Sequence, residues 1–593
     1  MIILRVSKSF WLGVKDMRNA GGALLGWVRV VVAGLLFVGA GFVAGCGNDN
    51  SSPSAGGGGG APSPAPAPVV NTLTLTFLYG SEKQGWIEES TKAFNGAHYK
   101  TKEGSVIAVD AKPMGSGESI DHILDGSIHA DLTSPASGAF ITLGNAESRV
   151  KTNADLVPQT DNLVLSPVVI AMWKPMAEAI GWGSKPVGWA DILSLAKNPQ
   201  GWGAYGHPEW GKFKFGHTHP EYSNSGLISI LAEVYAASGK AGNLTLDDVQ
   251  KPETAQYVAD IEQAIVHYGS STGFFGKKMY GSGPSYLSAA VLYENMVIES
   301  YSAKDRDPNF PIVAIYPKEG TFWSDHPVGI VNRDWVTPER KEAAQVYINF
   351  LLDTPQQTRA LAYGFRPANP SIALGDPIDD AHGVNPKEPQ NVLAVPSADV
   401  MHAIIQLWHA NKKHANVVLV MDCSGSMNDN AKMVNARAGA DELVTMLDDQ
   451  DHLSLLPFST NYHWAGRDMV IGTDRKKATD TINGMIADGD TLLFDSIEVA
   501  RKYLESHPDP TRISAIVVLT DGEDNHSRLK LNQLLTLLRG TSESGGIRTF
   551  TIGYGEDAQK DALKKIADET KAKYYDGKPE NIREVFKDVA TFF

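Results

Sequence analysis

Cysteine is nearly absent: the 593-residue chain has two, Cys46 and Cys423. A disulfide framework is thereby excluded, as is a thiolate zinc site, which needs several cysteines at short spacing. A basic excess is also missing. The net charge of −15 argues against a nucleic-acid binder, which presents a basic face to phosphates. Past residue 45 no apolar run reaches the about 20 residues that span a bilayer. Leu163 to Trp173 is apolar but short, and reads as a buried strand. No nucleophile is placed beside a histidine and an acid, and there is no phosphate-cradling loop or zinc-protease helix, so a binding protein and not an enzyme is expected. What is present is an ordinary globular balance, 42% hydrophobic and 20% charged, in a chain too long for one core; two or three domains follow.

Residues 1–45 read as a targeting segment. Arg5, Lys8, Lys15, Arg18 and Arg29 precede an uncharged apolar run, Val30 to Ala44, of signal-peptide length. Val43-Ala44-Gly45-Cys46 resembles the cleavage box of bacterial lipoproteins, which implies lipidation at Cys46. An ordinary membrane anchor beside a chance cysteine is the alternative. Residues 46–71, rich in Gly, Ser and Pro, cannot bury a core and read as a tether. Lipid, tether and globular body make a membrane-anchored, extracytoplasmic protein the expectation, in the periplasm or at the cell surface.

Between residues 72 and 370 short apolar strands alternate with helical patterns, the rhythm of an α/β domain. Three strands run into Ser/Gly loops before a helix: Tyr79-Gly80-Ser81, Met114-Gly115-Ser116-Gly117 and Ser134-Pro135-Ala136-Ser137. Such loops aim N–H groups and hydroxyls beyond the strand ends, where open α/β sheets bind ligands; plain helix capping is the alternative. GSEKQGW, MGSGESIDHILDGSIHADLTSPAS, LVLSPVVIAM, HTHPEYSNSGL, IYPKEGTFWSDHP and GFRPANP follow in order. The set resembles the bacterial extracellular solute-binding domains of the periplasmic type II class, including oxyanion-binding members. That resemblance implies two lobes joined by crossing strands, with LVLSPVVIAM as one of them. It points to Ser81, Ser116, Gly117, Ser134, Ser223 and Ser225 as pocket residues, with Tyr293 and Glu294 as weaker candidates. Lys83 is the one basic residue close by, with a solvent-facing side chain as its alternative. Neutral donors suit an oxyanion held at helix termini, but also sugars or peptide groups, and the pocket could equally serve as a protein-binding surface. His207, His217 and His219 cluster in a Gly/Pro-rich loop; ligation of a transition metal is the alternative, but without zinc-protease spacing they read as loop scaffolding.

Residues 371–411 read as a connector with a short amphipathic helix. A new unit spans residues 412–593. The apolar strand Asn416 to Met421 ends at Asp422-Cys423-Ser424-Gly425-Ser426, and alternation along an extended turn puts Asp422, Ser424 and Ser426 on one side. Thr491 precedes a helix, and a second buried strand ends at Thr520-Asp521-Gly522. Asp422, Ser424, Ser426, Thr491 and Asp521 thus offer oxygen ligands, two of them carboxylates, to a hard cation: Mg²⁺ first, with Mn²⁺ or Ca²⁺ as alternatives. The constellation resembles the metal-ion-dependent adhesion site of von Willebrand factor A domains. It implies a doubly wound, Rossmann-like fold and an open coordination position for a partner's carboxylate. Cys423 is expected buried and inert, Asp490 beside Thr491 reads as an aid to the cation or a helix cap, and Asp524 reads as solvated. The expectation is an α/β protein with two modules, binding a protein partner through the metal site. A transport receptor for a small solute is the rival.

Overall fold

The computed structural model describes residues 71–304, 307–543 and 546–593. The targeting segment, Cys46 and the tether up to residue 70 lie outside the described residues. The first module contains β1 (Thr72–Gly80), β2 (Val106–Met114), β3 (Leu132–Ser134), β4 (Asp161–Asn162), β5 (Val164–Trp173) and β6 (Phe215–Gly216). It continues with β7 (Ala289–Tyr293), β8 (Ile312–Ile315), β9 (Trp323–Ser324), β10 (Pro327–Ile330) and β11 (Arg366–Pro367). One sheet runs β2-β1-β3-β10-β4; the other runs β11-β5-β7-β6, with β8 and β9 also paired to β5. The chain crosses between the sheets from β4 to β5 and returns from β9 to β10, which makes two lobes. Along β1 the pleat sends Phe77 and Tyr79 to a core with Trp86, Phe94 and Tyr347, while Leu78 faces Ile120 and Phe140 on the opposite side. β5 is the apolar strand anticipated at the crossing. It is buried nearly end to end because four other strands pair with it.

The second module is one sheet of β12 (Ala415–Asp422), β13 (His452–Phe458), β14 (Gly466–Val470), β15 (Ile513–Thr520), β16 (Arg548–Tyr554) and β17 (Tyr574–Gly577). Its order is β14-β13-β12-β15-β16-β17, and only β14 runs antiparallel. Every residue of β12 is buried, since alternate side chains enter two cores: Val417, Leu419 and Met421 on one face, Val418 and Val420 on the other. From β12 the chain builds first to one side and then, at β15, to the other. Order reversal of this kind opens a crevice beyond the strand ends, where doubly wound sheets bind ligands.

The helix Ala398–Asn411 leads into this sheet and packs against the first module. Trp408 is fully buried, with ring centroids 5.2 Å from Tyr268 and 4.8 Å from His219. His409 lies between the modules, with Nε2 3.0 Å from Glu221 Oε2 and Nδ1 3.3 Å from Asp448 Oδ2. Lys412 also faces Asp448, at 2.9 Å. Burial disfavours the imidazolium, but Asp448 and Glu221 outweigh it and raise the His409 pKa to about 9; His219 and Lys412 are the other charged or titratable groups close by. With an unfolded value near 6.5, this stabilisation is complete below about pH 6.5 and disappears as pH rises through about 9. Melting temperature should therefore fall from pH 6.5 to 9.5 in the parent chain more steeply than in His409→Gln. Parallel pH profiles would remove His409 from the clamp.

Candidate metal centre

The five oxygen-bearing residues sit at the carboxyl ends of β12 and β15 and on the loop before the helix Leu493–Ser506. Asp422 is fully buried. Its Oδ1 accepts from the Ser424 N–H at 2.7 Å, and its Oδ2 accepts from Thr520 Oγ1 at 2.5 Å. Burial pushes its carboxyl up to about 6; Ser424 and Thr520 pull against this, and neighbouring Asp521 adds to it. Ser424 and Ser426 hydroxyls lie 3.1 Å apart, and Ser426 Oγ donates to Asp521 Oδ1 at 2.7 Å. Asp422, Ser424, Thr491 and Asp521 are buried while Ser426 is exposed, so the group opens outward on one side.

Thr491 arrives by a different route. Asn525 Oδ1 accepts its N–H at 2.9 Å, and its carbonyl accepts the Asn525 N–H at 3.2 Å. Gly489, with φ +88°, turns the loop so that its carbonyl accepts the Gly425 N–H at 2.9 Å. A Cβ on Gly522 would stand 3.6 Å from Thr491 Oγ1 and 4.0 Å from Ser426 Oγ, which places both hydroxyls close to the same face of one glycine. The structure thus brings all five residues into one cluster.

Two carboxylates and three hydroxyls form an all-oxygen donor set, which fits a hard divalent cation. The raised pKa of Asp422 fits as well: a desolvated carboxylate gains most from a nearby cation. Lys432, which sequence reasoning missed, donates from Nζ to Asp521 Oδ2 at 2.6 Å. It balances Asp521 and leaves Asp422 without a cationic partner among the described residues. A signal existed: Lys432 opens the helix Lys432–Met446, where the helix dipole disfavours positive charge unless an acid lies close.

Other side chains differ from expectation. Asp524 is half-buried and does more than face solvent: its Oδ1 accepts from the Leu493 and Phe494 N–H groups at 3.0 and 3.3 Å, capping the helix after Thr491. Asp490 is exposed and makes no such cap. Cys423 is buried and its thiol is pushed up to about 12 by burial, which makes it a poor nucleophile.

In the first module the Ser/Gly loops meet across the cleft between the lobes. Ser81 Oγ accepts the Gly273 N–H at 3.1 Å, and Ser116 Oγ accepts the Ala136 N–H at 2.9 Å. The Gly117 and Glu118 N–H groups both donate to the Tyr222 carbonyl, at 3.0 and 3.3 Å. Ser223 and Ser225 hydroxyls share Thr272 Oγ1 at 3.0 Å each. Ser134 Oγ is buried and has no hydrogen-bond partner among the described residues. The helix N-terminus at Ser116 is thus served by the opposite lobe's own backbone.

The weaker candidates, Tyr293 and Glu294, have partners within the fold. Tyr293 accepts from Asn224 Nδ2 at 3.0 Å. Glu294 is committed to Arg366, which donates at 2.8 and 2.7 Å, and to Tyr316. Lys83 does not face solvent; it is fully buried and bonds Glu82 Oε1 at 2.7 Å and His326 Nδ1 at 3.1 Å. His207 stacks on Trp210 in its loop, with centroids 3.8 Å apart. His217 and His219 are buried instead.

Residues 126–386 match the family model described as bacterial extracellular solute-binding protein, and residues 416–588 match the von Willebrand factor type A domain. The human inter-alpha-trypsin inhibitor heavy chain H2 is 26% identical over 167 residues, covering 26% of this chain and 17% of its own length. Two solved structures are also similar. A von Willebrand factor type A protein from Catenulispora acidiphila is 21% identical, covering 30% of this chain and 43% of its own, with a TM-score of 0.27. The periplasmic binding protein AfuA from Actinobacillus pleuropneumoniae is 14% identical, covering 58% of this chain and all of its own, with a TM-score of 0.39. Both family matches fall on modules whose architecture agrees with them, so the chain carries a periplasmic-binding-protein-like region that matches the bacterial extracellular solute-binding family over residues 126–386, followed by a von Willebrand factor type A domain over residues 416–588.

Proposed function

We propose that this protein is a membrane-anchored, extracytoplasmic binding or adhesion protein that engages a protein partner's carboxylate through a divalent cation. Asp422, Ser424, Ser426, Thr491 and Asp521 would hold the cation, Mg²⁺ by preference. The observation that carries the reading is their convergence at the order-reversal crevice, with Ser426 exposed at the open side. A bound hard cation supplies an electrophilic position for a carboxylate oxygen. The chain's own part is to fix the ligands: Thr520 and the Ser424 N–H orient Asp422, Lys432 orients Asp521, and Asn525 fixes Thr491. Lipidation at Cys46 and the tether through residue 71 would hold the body at a membrane face. Among the described residues no helix is long and apolar enough to cross a membrane.

The test is thermal melting of the full chain in Mg²⁺ or Ca²⁺. At a hundredfold excess over Kd, binding should stabilise the parent by about 2.7 kcal/mol, and Asp422→Ala should lose this entirely. Cation-independent melting of the parent would end the reading. A receptor for a small solute, such as an oxyanion, is the second reading. It is supported by the solute-binding family match and by the unpartnered, buried Ser134 hydroxyl. Sulfate, phosphate and sugars in the same assay separate the two, because only the second reading has them raise the melting temperature of Asp422→Ala.

A further inference from the structure

We propose that His217, Glu233 and Glu262 form a second, buried metal centre that takes a divalent metal cation such as Zn²⁺ or Mn²⁺. It lies in the first module beneath the connecting helix, and the assignment stands independently of the Asp422 cluster. One ligand atom from each residue lies within 4.8 Å of the other two, and all three side chains are fully buried. His217 comes just after β6, Glu233 from the helix Asn224–Ser238 and Glu262 from the last turn of Pro252–Glu262.

The hydrogen bonds leave one face of each ligand unclaimed. His217 Nδ1 is 2.7 Å from the Thr218 carbonyl, which can only accept, so Nδ1 carries the proton and Nε2 presents a lone pair. Yet Nε2 lies 2.9 Å from Glu262 Oε1, another acceptor. Two lone pairs at that distance repel unless a proton or a cation lies between them. Glu262 is oriented from its other oxygen, Oε2, by Tyr268 at 2.5 Å and Trp408 at 3.2 Å. Glu233 is oriented at Oε1 by Ser229, at 3.0 Å, while its Oε2 has no hydrogen-bond partner among the described residues. A carbonyl behind an imidazole and donors behind carboxylates are the outer partners that orient metal ligands. Two carboxylates and a neutral imidazole carry the charge that a divalent ion balances, and mixed nitrogen and oxygen donors suit Zn²⁺, Mn²⁺ or Fe²⁺ over Mg²⁺.

The competing occupant is protons, with an imidazolium at His217 and a neutral acid at Glu233. Glu233→Gln copies a neutral acid, so the two occupants give opposite results. The full chain carrying Asp422→Ala, which disables the outward cluster, is desalted and its Zn and Mn content measured by mass spectrometry; Co²⁺ is then titrated and followed by visible absorption. A retained stoichiometric ion and a Co²⁺ band are expected. Adding Glu233→Gln should remove the ion and weaken Co²⁺ binding at least tenfold, with melting in chelator unchanged to show that the fold survives; His217→Ala should remove the ion as well. Absence of any ion or Co²⁺ band in the Asp422→Ala chain, or a metal content that Glu233→Gln leaves unchanged, overturns the assignment.

Discussion

Gly117→Ala is expected to force the two lobes of the first module apart. A Cβ at this position would stand 1.7 Å from the Glu221 carbonyl oxygen, 2.7 Å from its carbon and 2.8 Å from the Phe140 ring. The nearest obstacle is backbone, which no rotamer change can clear. Relief requires the helix Ser116–Asp125 to withdraw from the Glu221–Tyr222 turn. Withdrawal breaks the two bonds to the Tyr222 carbonyl, and it strains the Ser137–Asn224 bond of 2.5 Å across the same cleft. Overpacking alone costs about 1–3 kcal/mol, and the lost hydrogen bonds add to it. Small-angle scattering of the full chain should show a larger radius of gyration, with a lower melting temperature. An unchanged scattering curve would mean that the cleft is not held shut at Gly117. The result also bears on the solute reading, because a ligand at the Ser116 helix terminus would first have to displace the Tyr222 carbonyl.

Trp408→Ala should cost about 3–5 kcal/mol, the usual range for truncating a fully buried aromatic. Trp408 packs on Tyr268 and His219 and donates from Nε1 to Glu262 Oε2 at 3.2 Å. Truncation therefore leaves a cavity and removes a donor from a buried carboxylate. Trp408→Phe keeps most of the ring and loses only the N–H, so about 1.5–3 kcal/mol is expected. Denaturant unfolding of the three chains gives the comparison. The ranking Ala below Phe below Trp is the prediction, and an Ala variant within about 0.5 kcal/mol of the parent would show that the connecting helix is not anchored here.

The metal cluster was legible in sequence because its parts are local. A buried parallel strand needs an unbroken apolar run, the strand must end where that run ends, and Asp422-x-Ser424-x-Ser426 begins there. Thr520-Asp521 follows β15 by the same logic. Lys432 was only half legible: a lysine that opens a helix calls for an acid close by, but nothing local identifies that acid as an aspartate 89 residues later. Asp524 was misread for a related reason: from its own segment it is one acid among several, and its role as a cap belongs to a helix beginning some 30 residues earlier.

The first module shows the limit more sharply. The Ser/Gly loops were read correctly as the ends of strands, yet what meets the Gly117 and Glu118 N–H groups is the Tyr222 backbone carbonyl, and a carbonyl has no sequence signature. Lys83 was read as the basic residue close to the pocket or as facing solvent, but His326, 243 residues away, folds over it. His217 was read as loop scaffolding because its loop has no ligand spacing, while Glu262 reaches it from 45 residues on.

The sequence by itself determined the α/β class, the two modules and the position of the oxygen cluster, because burial patterns and strand-end loops are set by neighbours a few residues apart. Only the tertiary structure decided which charges are paired, which helix termini are already satisfied and which buried carboxylate oxygen is left without a hydrogen-bond partner among the described residues. Those outcomes depend on groups that meet across the fold, where desolvation and not local propensity sets the energy.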